Sequence, residues 1–221
     1  MTIIKVIMLR KLKALSMVCF LLPIFTVIIS YLLSIKLNLV VSCIPNIEGC
    51  TSISRVGRYE PVKYFFKPMM YLYCFFLILY WNSLFKILKK NNIAAKKIYW
   101  VAILSIIFLA LYVTFLGESK IYSFFKKIGI YIYILFIILS QFLESKLLLK
   151  NFSKINKIFL KRILKIKYYT TSCMVITGLI LLPILIIKID YYPGIKNIIA
   201  WNYFLIVQLY FYLVFLSIRS N

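Results

Sequence analysis

Histidine is absent from this 221-residue chain, and acidic residues are scarce, with Asp and Glu together numbering five. The absence of histidine excludes imidazole acid–base catalysis and histidine ligation of a metal. The five cysteines, at positions 19, 43, 50, 74 and 173, are too dispersed for the spacing of a zinc or iron–sulfur site. No two glycines have the Gly-x-x-x-Gly spacing of a transmembrane dimerisation motif. The sequence therefore predicts no metal and no other cofactor.

Apolar residues, in contrast, are abundant. They make up 64% of the chain, and the mean hydropathy is +0.96, whereas soluble domains contain roughly 45–50% apolar residues. Lys and Arg number 28, which gives a formal net charge of +23. On a soluble domain this charge would suggest nucleic acid, but here the cations cluster at the ends of apolar segments, where they determine topology and contact lipid phosphates. We predict a membrane protein that does not bind nucleic acid.

Six apolar stretches are close to the length of about 20 residues that crosses a hydrocarbon core. They lie at about 14–35, 68–85, 99–116, 128–149, 168–187 and 198–218. Tyr and Trp recur near their boundaries, as in the aromatic belts of membrane proteins. The predicted fold is all-α: a polytopic bundle of six transmembrane helices that forms one integral membrane domain over residues 1–221. A bacterial inner membrane and a eukaryotic endomembrane or plasma membrane fit equally well.

The distribution of Lys and Arg predicts that both termini are cytoplasmic. The loop at 36–67 is then the longest outer segment. Four of the five acids fall on the outer side in this orientation: Glu48, Glu60, Glu118 and Asp190. Glu144 lies near the cytoplasmic end of the fourth span, where its side chain is expected to extend to the interface.

The cytoplasmic connection at about 146–167 carries cations at helical spacing. One stripe contains Lys146, Lys150, Lys154, Lys157, Lys161 and Lys165. Apolar side chains from Leu148 to Ile166 occupy the opposite side. This pattern predicts a basic amphipathic helix that extends from the fourth span along the inner leaflet and contacts anionic phospholipid. A simpler interpretation, a positive-inside topology signal, predicts the same membrane contact.

Two cysteines, Cys43 and Cys50, enclose six residues of the loop that is assigned to the outside. An oxidising compartment would allow a disulfide there. By the chain-entropy account, closing so short a loop stabilises the fold by about 2–3 kcal/mol. Two free thiols are the alternative.

The segment after Cys50 combines hydroxyls, a glycine and two arginines. Guanidinium groups bind oxyanions through paired hydrogen bonds, and glycine lets the backbone approach a ligand closely. The segment therefore predicts a lipid head-group site formed by Ser52, Ser54, Arg55, Gly57, Arg58, Glu118 and Asp190, in which the two acids form the floor. The alternative is an ordinary outer loop whose arginines contact lipid phosphates without selectivity, with both acids as solvated helix ends.

Residues 50–61 read Cys-Thr-Ser-Ile-Ser-x-x-Gly-Arg-x-x-Pro. In the first outer loop of a six-span chain with both ends inside, this pattern resembles the Frag1/DRAM/Sfk1 family of membrane proteins, which includes a factor that remodels GPI lipids. Ser54, Gly57 and Pro61 match the family element, and Val62 stands where the family has a second proline. The resemblance implies a role in membrane-lipid organisation or remodelling, and it transfers no catalytic residue.

Three functions are compatible with these features. The leading one is lipid head-group recognition by the outer loop, with membrane lipids as partners and a protein contact at the loop as a further option. The second is a lipid-modifying enzyme with Ser52 or Ser54 as nucleophile and Glu60, Glu118 or Asp190 as acid or base, although without histidine the nucleophile needs an unusual activator. The third is a small-solute transporter that uses the polar residues of the spans, namely Asn82, Thr114, Gln141, Thr177, Asn202 and Gln208. The sequence predicts no catalytic residue and no oligomeric state.

Overall fold

A computed structural model describes residues 3–118, 120–186 and 193–219 of the chain. Helix makes up 83% of the structure, and no strand occurs among the described residues, so the prediction of an all-helical fold is confirmed. The helices are, in chain order, α1 (Ile3–Lys36), α2 (Pro45–Glu48), α3 (Ile53–Val56), α4 (Val62–Lys90), α5 (Lys96–Thr114), α6 (Ser123–Lys150), α7 (Phe152–Ile155), α8 (Lys161–Ile186) and α9 (Pro193–Ser217). A 3-10 turn at Lys120–Tyr122 precedes α6.

Each predicted span lies on one of the long helices. Over the described residues, five of them are long and apolar enough to cross a membrane: α1, α4, α5, α6 and α9. The predicted span at 168–187 lies on α8, which is not among these five, and its last residue lies outside the described residues. Five helices of this length and composition favour a multi-pass integral membrane protein.

The exposed surface of the long helices is apolar. On α1, Leu21, Phe25, Ile28 and Leu32 recur at helical spacing, and each is between 48% and 56% exposed. In water, a stripe of this kind would be a large apolar patch of the sort that soluble monomers avoid. Lipid chains solvate it without penalty, which supports a membrane location for the middle of the bundle.

The opposite face of α1 carries small side chains that are buried against α4 and α9. Ser16, Cys19, Ser30 and Ser34 are all completely buried there. The hydroxyl of Ser16 donates to the carbonyl oxygen four residues earlier at 2.7 Å, which satisfies it within its own helix. Small side chains let helix backbones approach closely where both neighbours are apolar. α1 is therefore a central packing element of the bundle.

Helices α5 and α6 approach each other closely at Gly129. A Cβ atom added at this position would lie 2.8 Å from the backbone nitrogen of Tyr112 and 3.0 Å from the carbonyl oxygen of Phe108. At Gly178 of α8, the nearest neighbour of an added Cβ is the Tyr203 hydroxyl, at 3.7 Å, which is an ordinary contact. Gly129 thus permits close helix packing without a Gly-x-x-x-Gly pair, whereas Gly178 has room for a methyl group.

We expect Gly129→Ala to lower the free energy of unfolding by about 1–3 kcal/mol, because the added methyl group overlaps the α5 backbone and the two helices must separate. The matched change Gly178→Ala should be neutral or should stabilise by up to about 1 kcal/mol, since alanine has the higher helix propensity. Equilibrium unfolding of the detergent-solubilised protein, followed by circular dichroism, measures both. Equal effects of the two substitutions would contradict the close packing at Gly129.

The loops gather at the two ends of the bundle. Residues 37–61, which we call the cap, and the turn at 115–118 lie at one end, the cap end. The loops at 91–95 and 151–160 lie at the other end, the basic end, where the Lys154 ammonium donates to the carbonyl oxygen of Asn92 at 3.3 Å. The predicted outer loop at 36–67 is too long, because α4 already begins at Val62.

The prediction of one continuous helix over 146–167 is wrong. Helix α6 ends at Lys150, and the next residue, Asn151, caps it: its backbone N–H and its side-chain amide both donate to the carbonyl oxygen of Leu147, at 3.1 Å and 3.0 Å. The backbone N–H of Leu160 then donates to the carbonyl oxygen of Ser217 at 2.8 Å, which joins the segment to the end of α9. All six lysines of the predicted stripe are nevertheless exposed.

Candidate functional site

The cap is folded and contains the short helices α2 and α3. Asn38 and Gly49 have positive φ angles of 54° and 65° and turn the chain at two points. Ser52 is the N-cap residue of α3, since its hydroxyl oxygen accepts the backbone N–H of Arg55 at 3.2 Å. The Ser54 hydroxyl lies 3.3 Å from that of Ser52. Both predicted hydroxyls therefore belong to the helix-capping arrangement.

Cys43 and Cys50 are joined by a disulfide in the structure, with their Cα atoms 6.6 Å apart. Tyr31 of α1 holds the same turn. Its hydroxyl donates to the carbonyl oxygen of Cys43 at 2.7 Å and accepts the Cys43 N–H at 3.0 Å. The disulfide and Tyr31 together attach the first half of the cap to α1.

The cap is also attached to α9. Three side chains of α9 donate hydrogen bonds to carbonyl oxygens of the cap, Asn197 to Gly49 at 2.7 Å, Trp201 to Thr51 at 2.9 Å and Asn202 to Asn46 at 3.0 Å. At Gly49, an added Cβ would overlap the backbone of Gly194 at the start of α9. Contacts between distant parts of the chain therefore determine the shape of the cap.

A cleft of about 500 Å³ opens where the cap meets the end of α1. Ile35, Leu39, Val40 and Val41 form an apolar wall, and Arg55 lines the same cleft. The Arg55 side chain is exposed, and among the described residues no carboxylate lies within ion-pair distance of it. A guanidinium group beside an apolar wall can bind an oxyanion that is attached to a hydrocarbon chain.

The other two loop residues of the predicted site do not line this cleft. Gly57 lies against Phe66, and an added Cβ would be 2.6 Å from the Phe66 ring, so this glycine is required for packing. Arg58 lies next to Gly117, and its buried Nε atom has no hydrogen-bond partner among the described residues. The predicted site is therefore divided, with Arg55 in the cleft and Arg58 on the side of the α5–α6 turn.

Glu118 is paired with lysines of α4, and neither Arg55 nor Arg58 is among its ion-pair partners. Its Oε1 atom lies 2.7 Å from the Lys67 ammonium and 3.2 Å from that of Lys63. These lysines are one helical turn apart, so both face the turn that carries Glu118. Asp190, the second predicted floor residue, lies outside the described residues.

Hydrogen bonds from Lys67 and then from Lys63 lower the pKa of the Glu118 carboxyl group. Because the pKa is lower in the folded state, this network contributes stability above the usual titration range of glutamate and loses it as the pH falls through the lowered pKa. Glu118 is 39% exposed, so solvent screens the interaction. The network aligns α4 with the α5–α6 turn, and it pairs Glu118 with lysines of α4 instead of with Arg55.

The polar residues of the predicted spans make hydrogen bonds between helices or to the cap. Four of them pair with a tyrosine hydroxyl: Asn82 with Tyr99 at 3.0 Å, Thr114 with Tyr71 at 2.8 Å, Gln208 with Tyr73 at 3.1 Å, and Thr177 with Tyr203. The side-chain amide of Gln141 donates to the carbonyl oxygen of Val207 at 3.2 Å. Asn202 holds the cap, as described above. Each of these residues therefore has at least one structural partner within the bundle or the cap.

A buried charge cluster, formed by Glu144, Lys167 and Tyr210, joins α6, α8 and α9. The side chains of Glu144 and Lys167 are 1% and 0% exposed, and the ammonium lies 2.7 Å from Oε2 and 2.9 Å from Oε1. The Tyr210 hydroxyl donates to Oε2 at 2.6 Å. The Lys167 ammonium also lies 4.8 Å from the centre of the Tyr210 ring. The cluster is thus fully enclosed by protein.

The sequence predicts that the Glu144 side chain extends to the interface, and this prediction is wrong, because the side chain is buried in the bundle against Lys167. A signal was present, since Glu144 is the single acid within a predicted span, and a carboxylate at membrane depth needs a partner. The sequence does not identify that partner, because Lys167 is 23 residues away and lies among other lysines.

No protein-family model, curated protein or solved structure matches this chain. Among the described residues, no three acidic or cysteine side chains come together as a metal site. The candidate sites therefore rest on the geometry of the chain itself, and two are present: the Arg55 cleft at the cap end and the buried charge cluster.

Proposed function

We propose that this chain is a six-span integral membrane protein, with both termini cytoplasmic, whose outer cap binds the head group of an anionic lipid at Arg55. The supporting observation is the cleft of about 500 Å³ in which Arg55 lies beside an apolar wall. The proposed role is membrane-lipid organisation or remodelling, in line with the resemblance to the Frag1/DRAM/Sfk1 family.

The position of the cleft suits a lipid that remains in the bilayer. Its wall begins at Ile35, in the last turn of α1, where the lipid-facing part of that helix ends. Val41, on the same wall, is 71% exposed. A hydrocarbon chain can therefore lie along α1 while its phosphate reaches Arg55, which offers paired donors to an oxyanion.

The basic end supports the proposed orientation. It carries the exposed lysine stripe of residues 146–165 as well as the cations that flank α4 and α5. Under the positive-inside rule this end faces the cytoplasm, where the stripe contacts anionic phospholipid of the inner leaflet. The cap then faces outward, which is where an oxidising environment can maintain the Cys43–Cys50 disulfide.

Binding explains the cap better than catalysis does. A serine nucleophile without histidine needs a lysine or carboxylate within hydrogen-bond reach. The described hydrogen bonds of Ser52 and Ser54 are with each other and with the backbone of α3. These contacts serve helix capping and supply no activating base.

Native mass spectrometry of the gently extracted protein tests the proposal. We expect Arg55→Ala to weaken retention of an anionic phospholipid by about tenfold to a hundredfold, since a hydrogen-bonded charged pair contributes about 1.5–3 kcal/mol. Lys36→Ala is the matched control, because Lys36 is an exposed cation at the same end that does not line the cleft. Arg58→Ala separates the two arginines of the predicted site.

Equal lipid retention by the Arg55 and Lys36 variants would contradict a head-group site in this cleft. If the wild-type protein retains no lipid under the same conditions, the cap would instead be a contact surface for a protein partner. Loss of lipid in the Arg58 variant alone would move the site to the α5–α6 turn.

A further inference from the structure

Arg58 of the cap lies against the α5–α6 turn. Its carbonyl oxygen would be 2.7 Å from a Cβ atom added at Gly117, so the cap touches the turn at this point. The guanidinium group lies close enough to Tyr112 of α5 and to Lys126 of α6 for its charge to act on both. The described hydrogen bonds include none from this group, and Nε is the one of its three nitrogen atoms that is also shielded from solvent. The two terminal nitrogen atoms are therefore open to a ligand.

Lys126 brings a second positive charge to the same place. It lies in the first turn of α6 and is partly buried, as Arg58 is, whereas its neighbour Lys127 is exposed. In the part of the chain that the structure describes, neither Arg58 nor Lys126 lies within ion-pair distance of a carboxylate. The fold thus brings two cations together from distant segments of the sequence, and both are partly withdrawn from water.

The acid nearest in the fold is already paired. Glu118 is held by Lys67 and Lys63 of α4, and the Lys63 side chain lies beside Gly117, next to the backbone of Arg58. The turn therefore gathers cations from the cap, α4 and α6 around one described carboxylate. Like charges that are brought together in partly desolvated surroundings repel each other, and a bound anion removes this cost.

The site lies at the level of the lipid head groups. Lys126 precedes the apolar stretch that begins at about residue 128, and exposed apolar side chains surround it in the sequence, namely Ile121, Phe124 and Phe125. Exposed aromatic side chains at the end of a span are typical of the interface between head groups and hydrocarbon. The anion that is most abundant at this level is the phosphate group of a phospholipid.

We propose that Arg58 and Lys126 form a second anion site, which binds the phosphate group of an anionic phospholipid where the cap meets the α5–α6 turn. The guanidinium group offers paired donors to the phosphate oxygens, and the ammonium group adds a compact charge from the opposite element. The bound phosphate lies between two groups that otherwise repel each other, and it thereby holds the cap to α6. This site is separate from the Arg55 cleft and does not depend on it.

A matched pair of substitutions tests the site. Lys126→Met and Lys127→Met remove the same charge from adjacent residues and keep an unbranched side chain. Binding of phosphatidylglycerol to the delipidated protein in an uncharged detergent is titrated by native mass spectrometry. We expect Lys126→Met to weaken the binding of one lipid by about tenfold or more, since a hydrogen bond to a charged group contributes about 1.5–3 kcal/mol. Lys127→Met should change it by less than about twofold.

The titration is repeated with Arg55→Ala as the background for both substitutions. This background removes the guanidinium group of the cleft, so the remaining difference between the Lys126 and Lys127 variants belongs to the second site alone. Failure of the proposed cleft site would leave that difference unchanged. Arg58→Met in the same background should weaken binding as Lys126→Met does.

Stability without lipid separates a binding role from a structural one. In the delipidated protein and in phosphate-free buffer, Lys126→Met should leave the unfolding temperature unchanged or raise it, because the substitution removes a repulsion. Added phosphatidylglycerol should then raise the unfolding temperature of the wild-type protein and of the Lys127 variant more than that of the Lys126 variant. A lower unfolding temperature of the Lys126 variant without lipid would show a structural contact and overturn the proposal.

Equal binding of phosphatidylglycerol by the Lys126 and Lys127 variants would also overturn it. Inorganic phosphate at the same concentration distinguishes the two sources of the anion. If it raises the unfolding temperature as much as phosphatidylglycerol does, and Lys126→Met abolishes this rise, then the ligand is a soluble phosphate and the assignment to a lipid is wrong.

Discussion

Replacing Lys167 by methionine is expected to lower the free energy of unfolding by about 3–5 kcal/mol, because it leaves the Glu144 carboxylate buried without its cation. Both side chains are almost completely inaccessible, and two short contacts join the ammonium to the carboxylate. The Tyr210 hydroxyl at 2.6 Å and the Ser145 hydroxyl at 3.5 Å would remain as donors to the carboxylate, and neither carries a positive charge. Unfolding of the purified protein by increasing mole fractions of a denaturing detergent measures this loss.

Lys165→Met is the control for this prediction. Lys165 lies on the same helix two residues earlier and is exposed, so its loss should change the free energy of unfolding by no more than about 0.5 kcal/mol. The double variant Glu144→Gln/Lys167→Met should recover much of the lost stability, since neither charge remains unpaired. Similar destabilisation by the Lys165 and Lys167 variants would contradict the buried pair.

Replacing Gly49 by alanine is expected to lower the free energy of unfolding by about 2–4 kcal/mol. The residue has a φ angle of 65°, which costs a non-glycine residue about 1–3 kcal/mol. The new methyl group would also overlap the backbone of Gly194 and push the cap away from α9. The hydrogen bond from Asn197 to the Gly49 carbonyl oxygen would then be lost. Detergent-induced unfolding measures the stability, and native mass spectrometry shows whether the displaced cap still retains lipid.

The cap offers its own control. Asn38 also has a positive φ angle, of 54°, and its side chain is exposed. Asn38→Gly should therefore be neutral or slightly stabilising, because glycine adopts this conformation without steric cost. If Gly49→Ala is as stable as Asn38→Gly, then the cap is not held against α9 at this point.

The long helices could be predicted from the sequence because the signal is local. A run of apolar residues such as 14–35 specifies a helix in a membrane whatever its neighbours are, since every backbone polar group must be satisfied within the segment. The helix ends were less predictable. Helix α4 extends beyond the predicted span at both ends, and the basic segment is interrupted after Asn151, whose backbone and side chain both cap α6, an arrangement that helical periodicity does not reveal.

The sequence indicated which residue types form the candidate site, but it did not indicate which of those residues lie together in space. Arg55 and Arg58 are three residues apart, yet Arg55 lines the cleft while Arg58 lies beside Gly117. Glu118 is paired with Lys63 and Lys67, because α4 brings both lysines to the turn after α5. Pairing of this kind depends on how helices pack, and sequence spacing carries no information about it.

By itself, the sequence determined that this protein is all-helical, with apolar helices long enough to cross a membrane, and that its cations concentrate at helix ends. These properties follow from amino-acid composition and from the spacing of apolar and charged residues along the chain, and both can be read within a single helix. Only the tertiary structure decided that Glu144 is paired with Lys167 inside the bundle and that side chains of α9 hold the cap 150 residues away, as Trp201 holds Thr51. The physical reason is that a buried polar group takes whichever partner the packing of distant segments brings within hydrogen-bond distance.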